Sequence, residues 1–554
     1  MSAYEPRPGL VVDESAAARY RSAGWWGDDT VGNMVTILAR ERPEATAFVA
    51  DGRRFDYRSY DRTSDRLAST LVAAGTQPGE RIAVLLPDGA TAHAVYLANE
   101  KAGLTTVGLG SRAGSAEMRS IIERTGASAL ITQATHRGRD GDALYADLGG
   151  RGSTLSHHVV VPAFEFDPEG DITVDGRCVV GSGPPDGRRI GPDDLFMVNS
   201  TSGTTGMPKC VMHSQNSKFY MAKLARQVAE LEEGEVILGG APIPFGFGLF
   251  TTHFLPVLLG GTAVVMSHFD PREALELIES ERATVLVCVS TQFKMMLNVD
   301  TFDAYDLSSL KVMFTGGEMI PYRAARSFEE RSGAKVLNFY GSNESGFATG
   351  TRSSDTAERR LRTGGSRLDG TEVRLFDNGV DVTGSGRGQP GSRGPATCLG
   401  YYGDPEANAE LFTSEGFVLH ADIVEIGRDG YLTVVGRKSD IIIRGGKNIS
   451  AAVVEESAMS HPAISLAAAV PMPDRMFGER VSLYVELRPG ASVTLAELQR
   501  FLADAGVSKE VFPEDLVVVE EIPRSSGAKV AKGDLRQDAA RRSIEAESKG
   551  STVR

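Results

Sequence analysis

Cysteine is scarce in this chain of 554 residues: Cys178, Cys210, Cys288 and Cys398 are all it has. No two share the close spacing of a zinc site or a disulfide framework, so reduced thiols are expected. No long basic run is present either. Lys and Arg number 59 against 73 Asp and Glu, a net charge of −14, which argues against a nucleic-acid groove. The opening MSAYEPRPGL lacks the apolar stretch and cleavage pattern of a secretory leader, and a cytoplasmic location is the expectation. Charge is missing altogether from residues 236–269, a window long enough on count alone to cross a membrane. Pro242, Pro244, Pro256 and several glycines interrupt it, so it reads as buried loop, helix and strand lining a cavity, with no membrane span. Neither an internal repeat nor a low-complexity block is visible.

At 41% apolar and 24% charged residues the composition is that of an ordinary globular protein, and the length allows three or four structural units. Apolar β-rich runs at 81–86, 129–132, 262–266, 283–289 and 335–339 are separated by helix-like stretches such as 62–74 and 271–280. That alternation predicts α/β layers with substantial parallel sheet. Segments 181–191 and 378–395 read as surface punctuation. The second contains GRGQPG at 386–391, a formal dinucleotide fingerprint that fails because Pro390 stands where the helix should begin. After Gly436 the character changes to a small α/β unit, with strands at 441–443 and 481–487 and helices at 450–460 and 494–505. The chain beyond Gln537 is charged and expected to fray.

The strongest chemical signal is NSTSGTTGMPKCVMHS at 199–214. Glycines let a backbone approach polyphosphate closely, hydroxyls can bond its oxygens, and Lys209 can neutralise the outer phosphates. The spacing is not that of an ordinary P-loop, and taken alone the segment also fits a flexible turn.

TSGTTGMPK resembles the phosphate loop of the adenylate-forming superfamily: acyl-CoA synthetases, adenylation domains and luciferases. The likeness continues in order through FTGGEMIP (314–321), NFYGSNES (338–345), GSRGPATCLGY (391–401), FVLHAD (417–422), GRKSDIIIRGGKNIS (436–450) and PRSSGAKVAKGDLR (523–536). It implies an α/β fold in two parts: a large N-terminal domain of layered sheets and helices, residues 1–436, and a small mobile C-terminal domain, residues 437–554, with ATP in the cleft between them. It further implies that Thr201, Ser202, Gly203, Thr204, Thr205 and Gly206 cradle phosphate with Lys209, and that Gly317, Glu318, Tyr340, Gly341 and Asn343 surround the nucleotide, Tyr340 stacking on adenine. Glu344 would hold Mg²⁺, Asp422 the ribose hydroxyls, and Arg437 would lie beside the nucleotide. Lys529 would be the adenylation lysine, whereas Lys532 is expected to tolerate replacement.

Departures from the family pattern are Cys210, Asn343, His420, Ala421, Ser439 and Ala528, none of which removes a charge the chemistry requires. Asn343 can still donate to a phosphate oxygen. Segment 242–253 (PIPFGFGLFTTH) is expected to line the acid pocket with 340–346, through Phe245, Gly246, Phe247, Gly248, His253 and Gly346, a compact aromatic-walled site for a flat or small acid. Arg444, Gly445 and Gly446 resemble the loop lining the pantetheine tunnel of CoA ligases, where Lys447 and Arg444 could meet CoA phosphates. The expected reaction is ATP-dependent activation of a small or aromatic acid, then transfer to a thiol, either CoA or a separate carrier protein, as no carrier domain follows Arg536. Residues 20–35 resemble the aryl-acid-activating branch, though its hydroxybenzoate-reading asparagine is absent near 243–245. The same motifs leave open activation of nitrite for diazotisation in a natural-product pathway, or a catalytically silent nucleotide-binding relative.

Overall fold

The computed structural model describes residues 14–150, 153–162, 172–179, 181, 187–200, 208–318, 320–437, 440–444, 447–524 and 530–550. Strand formation follows the apolar runs. Thr105–Gly108, Val285–Val287 and Val312–Gly316 are buried at every position, the pattern of strands covered on both faces. They belong to two large sheets. One has nine strands, with a parallel centre in the order 335–342, 312–316, 285–287, 236–239, 262–265 and 46–50. The other has eight, with 157–160, 129–132, 81–85, 105–108 and 197–200 parallel. Antiparallel strands finish their edges, among them Cys210–His213 beside Met197–Ser200. The largest apolar cluster runs from Phe48, Ile82 and Val84 through Tyr60, Tyr96 and Phe219 to Phe254 and Phe314.

Helix starts are set by caps. The stretch expected from residue 62 begins earlier, as Tyr57–Ala73, because the Asp56 carboxylate accepts from Ser59 N at 2.7 Å. Helix Pro271–Glu281 starts where expected, with Asp270 accepting from Arg272 N and Glu273 N and proline in its first turn. The uncharged window becomes strand Val236–Gly239, a helical run from Gly246 to Leu259 that is π-wound at Phe250–Phe254, and strand Thr262–Val265. Among the described residues no helix is long and apolar enough to cross a membrane.

Two readings need correction. Residues 378–395 are more than punctuation: Arg387–Arg393 is a central strand of a six-stranded antiparallel sheet, with Pro390 and Gly391 buried. The chain beyond Gln537 does not fray there, since helix Lys532–Gly550 seats Leu535 and Ala539 in an apolar cluster with Val470 and Tyr484.

Residues 441–550 form an α/β unit on a five-stranded sheet with its own apolar clusters. Its helices Ala451–Met459 and Leu495–Asp504 fall where the sequence predicts them, the latter opened by a capping box between Thr494 and Glu497. Lys532 is built into this unit. Its ammonium lies 2.6 Å from Glu455 Oε1 and 3.3 Å from Asp440 Oδ2, with 16% of the side chain exposed, and Arg536 also bonds Asp440. Burial raises the pKa of Glu455, and Lys532 opposes that shift. Removing the cation leaves the Glu455 carboxylate uncompensated, while Arg536 still pairs with Asp440. Lys532→Ala is expected to destabilise this unit by about 3 kcal/mol, read as a lower denaturant midpoint for its unfolding.

Candidate active site

Strands Met197–Ser200 and Cys210–His213 pair with Ser200 opposite Cys210, so the hydroxyl-rich segment leaves and rejoins one sheet at a single point. Thr201, Ser202, Gly203, Thr204, Thr205 and Gly206 lie outside the described residues. Lys209 is half-buried, with its ammonium 4.9 Å from the centre of the Tyr401 ring. Tyr401 is brought there by main-chain bonds between residues 399–402 and 210–212, including Met212 N to Gly400 O at 2.9 Å and Tyr402 N to Cys210 O at 2.8 Å. Its hydroxyl donates to Glu344 Oε1 at 2.8 Å. Burial and the Glu344 charge drive the phenol pKa far up, so it stays a donor. Lys209, Tyr401 and Glu344 thus form one connected set. The block ending in Tyr401 is visible in the sequence, but spacing alone cannot show what the hydroxyl meets. Cys210 is wholly buried among apolar side chains, and burial raises its thiol to about 11, which makes it a packing residue.

Across two other sheets, Tyr340 on strand Lys335–Ser342 donates to Asp422 Oδ2 on strand Asp422–Ile426 at 2.8 Å. One face of its ring is stacked on His420 at 5.3 Å, so that face is unavailable to adenine. His420 is kept neutral by burial and meets Ser392 Oγ at 2.8 Å. Asp422 pairs across the ladder with Arg437, whose side chain lies outside the described set. Gly341 admits no side chain, because a Cβ would fall 1.9 Å from Gly346 O, and Gly346 itself has φ +64°. Gly317 follows strand Val312–Gly316, and Glu318 Oε1 accepts from Ser290 N at 2.8 Å, so that carboxylate ties the strand end to helix Ser290–Leu297.

The aromatic segment is anchored by Asn199, on strand Met197–Ser200, and by Asn343, just after strand Lys335–Ser342. Asn199 Nδ2 donates to Pro244 O at 3.0 Å, and Asn343 Nδ2 donates to Asn199 Oδ1 at 2.7 Å. The Asn343 amide, able to donate to a phosphate oxygen, bonds Asn199 in this structure. Phe247 packs edge-on against Phe250 and Phe347. A Cβ at Gly110 would meet the Phe245 ring at 3.3 Å, and one at Gly248 would lie 2.4 Å from Ala241 O. His253 is a correction: it is fully buried, with Nδ1 3.1 Å from His93 Nδ1, and stacks with Phe196. A helical run that places Phe247 on one wall turns His253 into the core.

In the C-terminal unit, Gly445, Gly446 and Lys529 lie outside the described residues. Arg444, expected to meet CoA, is paired with Glu514 and only 15% exposed. Among the described residues no group of three or more His, Cys, Asp or Glu could hold a metal ion. A cation at Glu344 would accordingly need oxygens from a bound nucleotide, which is how Mg²⁺ is commonly held.

Residues 36–402 match the family model described as AMP-binding enzyme, and 453–529 match the AMP-binding enzyme C-terminal domain. The chain is 32% identical over 545 residues to a medium-chain fatty-acid–CoA ligase of Escherichia coli strain K12, covering 96% of this chain and 94% of that one. It is 30% identical to a 2,3-dihydroxybenzoate-AMP ligase of Bacillus subtilis strain 168, covering 95% and 96%. Among solved structures, an anthranilate CoA ligase in complex with anthranoyl-AMP shares the fold with a TM-score of 0.82 at 21% identity, covering 94% of this chain and 98% of that one. The chain belongs to the AMP-binding enzyme family, and within the adenylate-forming superfamily it is an AMP-forming ligase.

Proposed function

We propose that this enzyme activates a small or aromatic carboxylic acid with ATP as the acyl-adenylate, releasing pyrophosphate, and passes the acyl group to the thiol of CoA with release of AMP. The observation that carries the reading is the connected set of Lys209, Tyr401 and Glu344 at the end of the hydroxyl-rich segment, next to the Phe245–Gly248 wall. The family likeness supports it. In this reading residues 201–206 and Lys209 take the phosphates. Gly317, Glu318, Gly341, Asn343 and Arg437 frame the nucleotide, and Tyr340 reaches it through the face away from His420. Asp422 binds the ribose, oriented by the Tyr340 hydroxyl. Glu344 holds Mg²⁺, which when bound offsets phosphate charge. Phe245, Gly246, Phe247, Gly248 and Gly346 line the acid site.

The unit after Gly436 is taken to turn as a body, bringing Lys529 to ATP in one state and the 444–446 loop to the thiol in another. A carrier protein is the alternative acceptor.

The test is a panel of aryl and aliphatic acids assayed for pyrophosphate, AMP and, with CoA present, thioester by mass. No pyrophosphate with any acid overturns the reading, and adenylate without thioester redirects it to a carrier. Gly446→Trp is expected to stop thioester formation while acid-dependent pyrophosphate exchange continues; joint loss of both half-reactions would remove the tunnel assignment.

A further inference from the structure

Lys218 stands in the first turn of helix Gln215–Ala229 and is 1% exposed. Its position is unfavourable twice over. Burial costs an ammonium several kcal/mol unless an anion answers it, and the start of a helix already carries partial positive charge. No carboxylate within 4 Å answers it among the described residues; the contact it makes is with the thioether Met221 Sδ at 3.9 Å. Burial lowers its pKa to about 8, with Cys398 and Glu344 opposing that shift. His213 is held neutral by burial and by the Lys218 charge. Nothing in the packing of the helix calls for a cation here.

What the ammonium faces is the aromatic wall. A Cβ built on Gly246 would sit 3.5 Å from Lys218 Nζ and 2.7 Å from Asn343 Oδ1. Gly246 therefore puts no side chain between Nζ and the segment proposed to line the acid pocket. Asn343, Asn199 and His213 are tied to one another beside it.

The geometry points to Lys218 as a specificity-determining residue of the acid pocket, whose ammonium binds a second oxygen, hydroxyl or carboxylate, on the body of the acid being activated. This deepens the adenylation reading and rests on it. An acid lacking that oxygen leaves the buried charge unanswered, whereas one that carries it replaces a thioether contact with a charge-assisted hydrogen bond.

The experiment compares matched acids by kcat/KM for pyrophosphate release: benzoate against the three hydroxybenzoates and the three benzenedicarboxylates, and butyrate against succinate. The hydroxyl and carboxyl arms separate the two sources of the oxygen. Wild type is expected to favour at least one oxygen-bearing acid over its parent by about tenfold or more. In Lys218→Met, which keeps an unbranched chain one atom shorter and removes the charge, that ratio is expected to fall at least tenfold. Gly246→Ala, which places a methyl 3.5 Å from Nζ on the side of the aromatic segment, is expected to erode the same ratio and decides the matter if Lys218→Met does not fold. With no acid bound, Lys218→Met is expected to melt higher than wild type, because an unanswered buried charge has gone. Turnover of parent acids with no preference, or a ratio unchanged in the variants, overturns the proposal and leaves adenylation standing. An equal fall for every acid together with a raised Mg²⁺ requirement also overturns it, since the ammonium would then serve Glu344. No turnover of any acid fails the adenylation reading itself.

Discussion

Lys529→Ala is expected to slow formation of adenylate from ATP by a factor of about 10² to 10³, while consumption of a supplied synthetic adenylate by the thiol keeps most of its rate. The carboxylate that attacks the α-phosphate is an anion approaching an anion, and a fixed ammonium beside the meeting oxygens lowers that barrier. Once the adenylate exists the repulsion is gone, so the second step does not need this charge. Lys532 supplies the internal control. Its ammonium is committed to Glu455 and Asp440, so Lys532→Ala is expected to lose stability while each folded molecule keeps both half-reactions. The two variants are assayed from ATP and, separately, from synthetic adenylate. Near wild-type adenylate formation by Lys529→Ala, or failure of that step in folded Lys532→Ala, would show that the C-terminal block has been assigned to the wrong lysine.

The contrast between these lysines shows what a sequence can and cannot convey. Strands came through well because their signal is local: 129–131 is an apolar run closed by β-branched Thr132, and the structure has a strand at Ala129–Thr132. The antiparallel strand Arg387–Arg393 did not, since glycine, proline and arginine in a row look like a turn. Its place is set by partners on both sides, Glu372–Asp377 and Asp422–Ile426. The site divides the same way. Lys209, Glu344, Tyr340 and Asp422 stand out because ordered blocks carry them, and the structure sets Lys209 and Glu344 around Tyr401 and bonds Tyr340 to Asp422. Tyr401 and Lys218 do not stand out. Tyr401 acts through a hydroxyl aimed at a residue 57 positions away, and Lys218 sits in a helix whose exposure no periodicity gives. His253 erred in the opposite direction: its neighbours in sequence line a wall, and the helical turn carries it behind that wall.

Glu344→Gln is expected to reduce adenylate formation by about 10² to 10³ and to raise the Mg²⁺ concentration at half-maximal rate about tenfold or more, with the melting temperature close to wild type. The amide keeps the size of the side chain and can still accept the Tyr401 hydroxyl bond, which in wild type runs to Oε1 at 2.8 Å. What it loses is the negative charge, and a hard cation shared between one protein carboxylate and phosphate oxygens depends on that charge. Tyr401→Phe separates orientation from charge. It leaves the carboxylate ionised and frees it to rotate, and it keeps an aromatic ring for the Lys209 ammonium at 4.9 Å. Its expected cost is about tenfold in rate with a smaller shift in Mg²⁺ dependence, in line with the 10- to 100-fold loss typical when a residue that orients a metal ligand is removed. Both variants are measured by pyrophosphate release across a Mg²⁺ titration at saturating ATP and acid. A normal Mg²⁺ curve and normal rate for Glu344→Gln would remove this carboxylate from the metal site. A Tyr401→Phe defect as large as that of Glu344→Gln, at every Mg²⁺ concentration, would instead make the hydroxyl itself the essential group.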